Sequence, residues 1–283
     1  MTRAARLDAY HFYEDDWESY DALCAAFEWA VPDRFNMAAY CCDRWAEGGN
    51  GDAVALFAES DDGWTETYTF GEMQGLTNRL ANYLRAQGVE RGDRVGVNAP
   101  QRPETVFAHL AAWKLGAVSV PLSTLFGPDA VGYRLGDCDA VAAVVDASNL
   151  DNYREAREGL SGLSTTLIVG DATPEEGEAE AEFWAAIEDH SPDFEPVDTA
   201  AEDDAIFIYT SGTTGDPKGV RHAQRMLLGH LPLFLTTFGN MRMEEDDVFW
   251  TPAEWAWIAS LFDSARSRGR AGRPDHRRCE RRR

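Results

Sequence analysis

From residue 69 onward, apolar residues follow two alternating rhythms, stripes of helical period and short continuous runs. In "GEMQGLTNRLANYLRAQG", Leu76, Leu80, Tyr83 and Leu84 share one face of a helix; Thr69 with Glu72 makes a capping box ahead of it, and Gly88 supplies a stop. After the turn "ERGD" comes the strand "RVGVNA". Pro103 opens a second helix, "PETVFAHLAAWKLGA", which ends at Gly116 before the strand "VSVPL". Runs at 140–146, 165–170 and 203–210 read as buried strands, with helical stretches near 128–136, 149–159 and 181–190 between them. This order predicts an α/β fold, a mostly parallel sheet covered by helices. Residues 170–182, "GDATPEEGEAEAE", have no apolar period and are expected to form an exposed acidic loop. No internal repeat is visible.

At 283 residues and 44% hydrophobic content, the chain can bury a substantial core. It opens on no basic-plus-apolar leader and holds no membrane-length apolar run, so a soluble, cytoplasmic protein with no membrane partner is expected. The five cysteines have no CxxC spacing, which suits free thiols better than a disulfide frame or a zinc site. Charge divides the chain. Residues 1–263 carry 17 Lys and Arg against 47 Asp and Glu, whereas residues 264–283 carry nine arginines against two acids. Dense carboxylates with only two lysines in the chain resemble the proteins of extreme halophiles, whose surface repulsion is screened at molar salt; an ordinary acidic enzyme is the alternative.

The stretch "IYTSGTTGDPKGV", 208–220, leaves the predicted strand "AIFIYT" and is expected to run into a helix, "HAQRMLLGHLPLFLTTFG". In an open parallel sheet that is the edge where ligands bind. Gly212, Gly215 and Gly219 allow close backbone approach, Thr210, Ser211, Thr213 and Thr214 add hydroxyls, and Lys218 adds a point charge. This combination suits a polyphosphate. A Walker A loop is excluded, because Asp216 and Pro217 separate Gly215 from Lys218.

"YTSGTTGDPKGV" resembles the phosphate-loop signature of the AMP-forming adenylating enzymes. Within that superfamily, "FNMAAYCCDRW" (35–45), "RGDRVGVNAPQRPETVFAHLAAWKLGAVSVPL" (91–122) and "FWTPAEWAWIASLFD" (249–263) are most similar to medium-chain and acetyl-type acyl-CoA synthetases. The resemblance implies that a carboxylic acid attacks the α-phosphate of ATP, giving acyl-adenylate and pyrophosphate, and that coenzyme A then displaces AMP. It implies Mg²⁺ with the ATP, fatty acid metabolism, and a loop of Thr210, Ser211, Gly212, Thr213, Thr214, Gly215 and Lys218 around the β- and γ-phosphates. Residues 1–263 would be part of the large AMP-binding domain.

Trp255 and Trp257 lie where the family places aromatics beside the acyl pocket, although a tryptophan at either position can equally be core packing; Trp257 is the preferred candidate. His222, just past the loop, could reach a phosphate, with a cap or solvent-facing place at a helix start as an equal alternative. The family's metal-binding glutamate belongs to a tyrosine-rich motif that this chain lacks, so Glu254 reads as structural. Residues 264–283 hold none of Leu, Ile, Val, Met, Phe, Tyr or Trp and cannot extend a core. A frameshift near residue 263 is the expectation; a basic arm for RNA or DNA is the alternative, against which the acidic body argues. The family's later nucleotide motifs and its C-terminal lid domain with the adenylation lysine are not found in the chain. The polypeptide as written is therefore expected to be inactive, and a non-catalytic nucleotide-binding or interaction fragment is the competing class.

Overall fold

The computed structural model describes residues 6–60, 63–176, 179–210, 215–237, 248–257 and 260–261. A short helix α1 (Tyr20–Ala26) precedes an antiparallel hairpin, β1 (Val54–Glu59) and β2 (Thr65–Thr69), which leads directly into α2 (Phe70–Ala86). The expected capping box is formed: Thr69 Oγ1 accepts from the Glu72 amide at 3.2 Å, and Glu72 Oε2 accepts from the Thr69 amide at 2.8 Å.

The repeating part follows as β3 (Arg94–Asn98), α3 (Pro103–Lys114), β4 (Val118–Pro121), α4 (Pro128–Asp137), β5 (Ala140–Asp146), α5 (Leu150–Arg157) and β6 (Thr165–Val169). Then come β7 (Glu180–Glu182), α6 (Phe183–Glu188), β8 (Asp204–Thr210), β9 (Lys218–Ala223) and α7 (Met226–Thr237). The large sheet has the order β7-β6-β5-β3-β4-β8-β9, parallel throughout except for the β8–β9 pair. The predicted α/β architecture is thus the observed one. β4 and β6 are buried along their whole length, which is why they read as mostly apolar runs without a polar alternation.

Two cores flank the sheet. On one face α2, α3 and α6 pack with the segment 35–42 and the start of α7, around Leu80, Phe107, Phe183 and Leu227. On the other, Val131 and Leu135 of α4 and Tyr153 of α5 pack over Val120, Val145 and Ile168. β8 divides its side chains between them, Ile206 and Ile208 to the first face and Phe207 and Tyr209 to the second.

Two expectations need correcting. The acidic stretch 170–182 ends in an edge strand, because Glu180 is captured by Arg154 at 2.7 Å and its side chain is buried. The run after Lys218 is a strand before it is a helix: β9 pairs antiparallel with β8 from Thr210↔Lys218 to Asp204↔Ala223, and α7 starts only at Met226. An ion pair between Arg221 and Asp204, with Nε donating to Oδ2 at 2.9 Å, helps hold that edge strand in place. Among the described residues, no helix is long and apolar enough to cross a membrane.

Candidate functional site

The glycine-rich stretch is the tip of the β8–β9 hairpin, so both of its ends are fixed by one register. Thr210 closes the parallel strand at the carboxyl edge of the sheet, and Lys218, its pair across the ladder, opens the return strand. Gly215 has φ +100°, a left-handed conformation that side chains with a Cβ adopt only at a cost. Lys218 is exposed, and its side chain makes no ion pair or hydrogen bond among the described residues. Ser211, Gly212, Thr213 and Thr214 lie outside the described residues, as does the arginine-rich stretch 264–283.

Helix α4 packs along the hairpin. The Tyr133 hydroxyl donates to the Pro217 carbonyl at 3.1 Å, and the Tyr209 hydroxyl donates to Asp137 Oδ2 at 2.6 Å. A Cβ on Gly219 would come within 3.1 Å of Cζ of the Tyr209 ring, a contact tight enough that the ring would have to shift by a few tenths of an ångström. Burial first, then the bond to Asp137, pushes the Tyr209 phenol well above its usual range. The Arg134 guanidinium stacks over Phe126 at 4.0 Å, and burial lowers its pKa. None of these α4 contacts was read from the sequence. The helix itself was predicted, but its partners lie some seventy to eighty residues away and no local pattern announces them.

The same edge carries the segment around Trp257. Gln101, which follows β3, donates from Nε2 to the carbonyls of Thr251 and Ala253, both at 2.9 Å. Glu254 accepts from Ser123 Oγ at 2.6 Å, from the Thr124 amide at 2.6 Å and from Thr124 Oγ1 at 3.0 Å. This clasp ties the segment to the loop after β4, and it gives Glu254 the structural part that the sequence suggested. Trp255 packs against the first core, whereas Trp257 is 66% exposed. His222 does not cap a helix: it lies half-buried on β9 opposite Ile206, and burial first and His230 second hold it below the ordinary imidazole range.

No cluster of three or more His, Cys, Asp or Glu able to hold a metal ion occurs among the described residues, and the Glu254 carboxylate is already engaged by Ser123 and Thr124.

With this geometry in place, comparison with known proteins is informative. Residues 42–265 match the AMP-binding enzyme family. The chain is 29% identical over 292 residues to an acetyl-coenzyme A synthetase of Gemmatimonas aurantiaca, covering 91% of this chain and 43% of the relative. It is 33% identical to that of Halorhodospira halophila, covering 79% and 36%. Among solved structures, a Brucella canis acyl-CoA synthetase superposes with a TM-score of 0.74 at 30% identity, covering 89% of this chain and 46% of that one. An anthranilate CoA ligase in complex with anthranoyl-AMP gives 0.69 at 25% identity, covering 85% and 46%. The chain thus spans about two fifths of the length of the curated relatives it matches.

Proposed function

This chain belongs to the AMP-binding enzyme family, and from that premise we propose that it carries the phosphate-loop part of an AMP-forming acyl-CoA synthetase of the medium-chain or acetyl type. In this reading ATP and a carboxylic acid give acyl-adenylate and pyrophosphate, and coenzyme A takes the acyl group. The observation that carries it is the hairpin at the carboxyl edge of the sheet, with Lys218 exposed opposite Thr210 and Gly215 at positive φ. The Lys218 ammonium and the amides and hydroxyls of Thr210, Ser211, Gly212, Thr213, Thr214 and Gly215 hold the β- and γ-phosphates. They offset the negative charge that grows on the departing pyrophosphate. Trp257 lines the acyl side of the same edge. Mg²⁺ would arrive with ATP, and no step is assigned to it on these residues.

A polypeptide of these 283 residues is expected to form no acyl-adenylate. Its two lysines are Lys114, buried against Asp43, and Lys218 in the hairpin, so neither is available as the family's lid lysine. ATP–pyrophosphate exchange above background, with any acid from acetate to octanoate, would overturn that expectation. The low lysine and high carboxylate content supports a halophilic setting, while a cytoplasmic place in fatty acid metabolism rests on the family resemblance alone.

Phosphate binding itself is tested by titrating pyrophosphate calorimetrically, in molar KCl, into the parent chain and Lys218→Ala. A charge-assisted hydrogen bond contributes about 1.5 to 3 kcal/mol, so the variant should bind roughly ten- to a hundredfold more weakly. Equal affinities would remove Lys218 from the site.

A further inference from the structure

A site carried on a hairpin needs something to set the position of its two arms. Helix α4 makes contact with both arms. Tyr133 reaches the Pro217 carbonyl on the returning arm, just before Lys218, and Asp137 receives the Tyr209 hydroxyl on the outgoing arm, just before Thr210. Positions 133 and 137 are one helical turn apart and share a face, so a single rigid element spans the base of the tip. Between them the Arg134 side chain is fixed by its stack on Phe126 and by donation to the Ala130 carbonyl at 2.7 Å, and it lies 5.8 Å from the Tyr209 ring centroid. The helix in turn is anchored on the second core through Val131 and Leu135.

We propose that α4 is a brace for the hairpin and that Tyr133 is a positioning residue: its phenol fixes the arm that carries Lys218 without touching the ligand. This rests on the assignment of the hairpin to phosphate. Tyr133 is part-exposed, so Tyr133→Phe removes the hydrogen bond to Pro217 and leaves the packing intact.

The test uses the parent chain, Tyr133→Phe and Lys218→Ala in molar KCl, with three readouts: amide hydrogen exchange over residues 215–220, pyrophosphate affinity, and melting temperature. Loss of one such bond should speed exchange in that window, and weaken pyrophosphate binding, by about three- to tenfold, with the melting temperature unchanged. Unchanged exchange in Tyr133→Phe overturns the brace, even if Lys218→Ala weakens binding. So does faster exchange with undiminished affinity, or a rise across the whole sheet with a lower melting temperature, which marks a structural role only. Faster exchange confined to 215–220 in a parent that binds no pyrophosphate supports the brace and overturns the phosphate assignment instead.

Discussion

Lys114 and Lys218, the only two lysines, stand in opposite environments, and each difference has a measurable consequence. Lys218 is exposed at the hairpin. Lys114 is wholly buried, with Nζ 2.6 Å from Asp43 Oδ1 and donating to Asn78 Oδ1 at 2.6 Å. Burial pushes the Asp43 carboxyl up, and the Lys114 charge opposes that push. Lys114→Met leaves Asp43 buried without its cation and should cost about 3 to 5 kcal/mol, whereas the double change Asp43→Leu with Lys114→Met should restore most of it. Denaturant midpoints of the three chains decide; a double variant as weak as the single would show that the pair itself is needed. His109, on α3, is buried, its two ring nitrogens meet no hydrogen-bond partner among the described residues, it stacks on Trp113 at 5.7 Å, and burial pushes it down to about 3. Its folded pKa lies below the unfolded value of about 6.5, so the neutral ring is the one the fold accepts. Its contribution is therefore full above pH 6.5 and is lost as pH falls from there toward 3, about 2 kcal/mol by pH 5. His109→Leu should flatten that part of the acid limb relative to the parent; matching limbs would show that the ring is solvated.

Elements differ in how far their own residues specify them, and α2 is the fully specified case. Its stripe and capping box are local, so Thr69→Ala should cost about 1 kcal/mol, read as a lower denaturant midpoint at unchanged slope; no shift would mean that packing alone sets the helix start. The parallel strands were legible for a related reason: β4 and β6 are buried along their whole length and are mostly apolar, with Ser119, Thr165 and Thr166 as hydrogen-bonded polar exceptions. β9 was not legible. Its sequence "KGVRHA" is exposed over its first four residues, and its place is fixed by backbone pairing to β8 and by Arg221 with Asp204, neither of which leaves an apolar period. β7 failed in the same way, since Glu180 is held by Arg154 from another element. The candidate site divides likewise. The residue types at 210–218 were visible because the phosphate reading rests on residues contiguous in sequence, while the brace from Tyr133 and the clasp of Glu254 by Ser123 and Thr124 join distant segments through one to three hydrogen bonds each.

Over the whole molecule, charge sets the conditions in which any of these measurements can be made. Residues 1–263 hold 47 acids against 17 bases, and several of the bases are spent on structure: Arg154 on Glu180, Arg102 on Glu104 and Asp146, Lys114 on Asp43. Most surface carboxylates are therefore in excess of available cations. Salt acts on such a chain in two opposing ways. It weakens exposed pairs such as Arg34 with Asp198 and Arg225 with Glu202, each contributing about 0 to 1 kcal/mol, and it screens the mutual repulsion of the excess carboxylates. The second effect involves many more charges and should win, because the screening length falls from about 10 Å at 0.1 M to about 3 Å at 1 M. Far-UV helical signal, solubility and thermal midpoint should all rise steeply as KCl approaches molar levels. The cation's identity should matter less than ionic strength if screening is the cause, so NaCl at equal strength should give nearly the same curve. A fold equally intact in dilute buffer would remove the halophilic reading, and a midpoint that falls with salt would mean that exposed ion pairs outweigh repulsion.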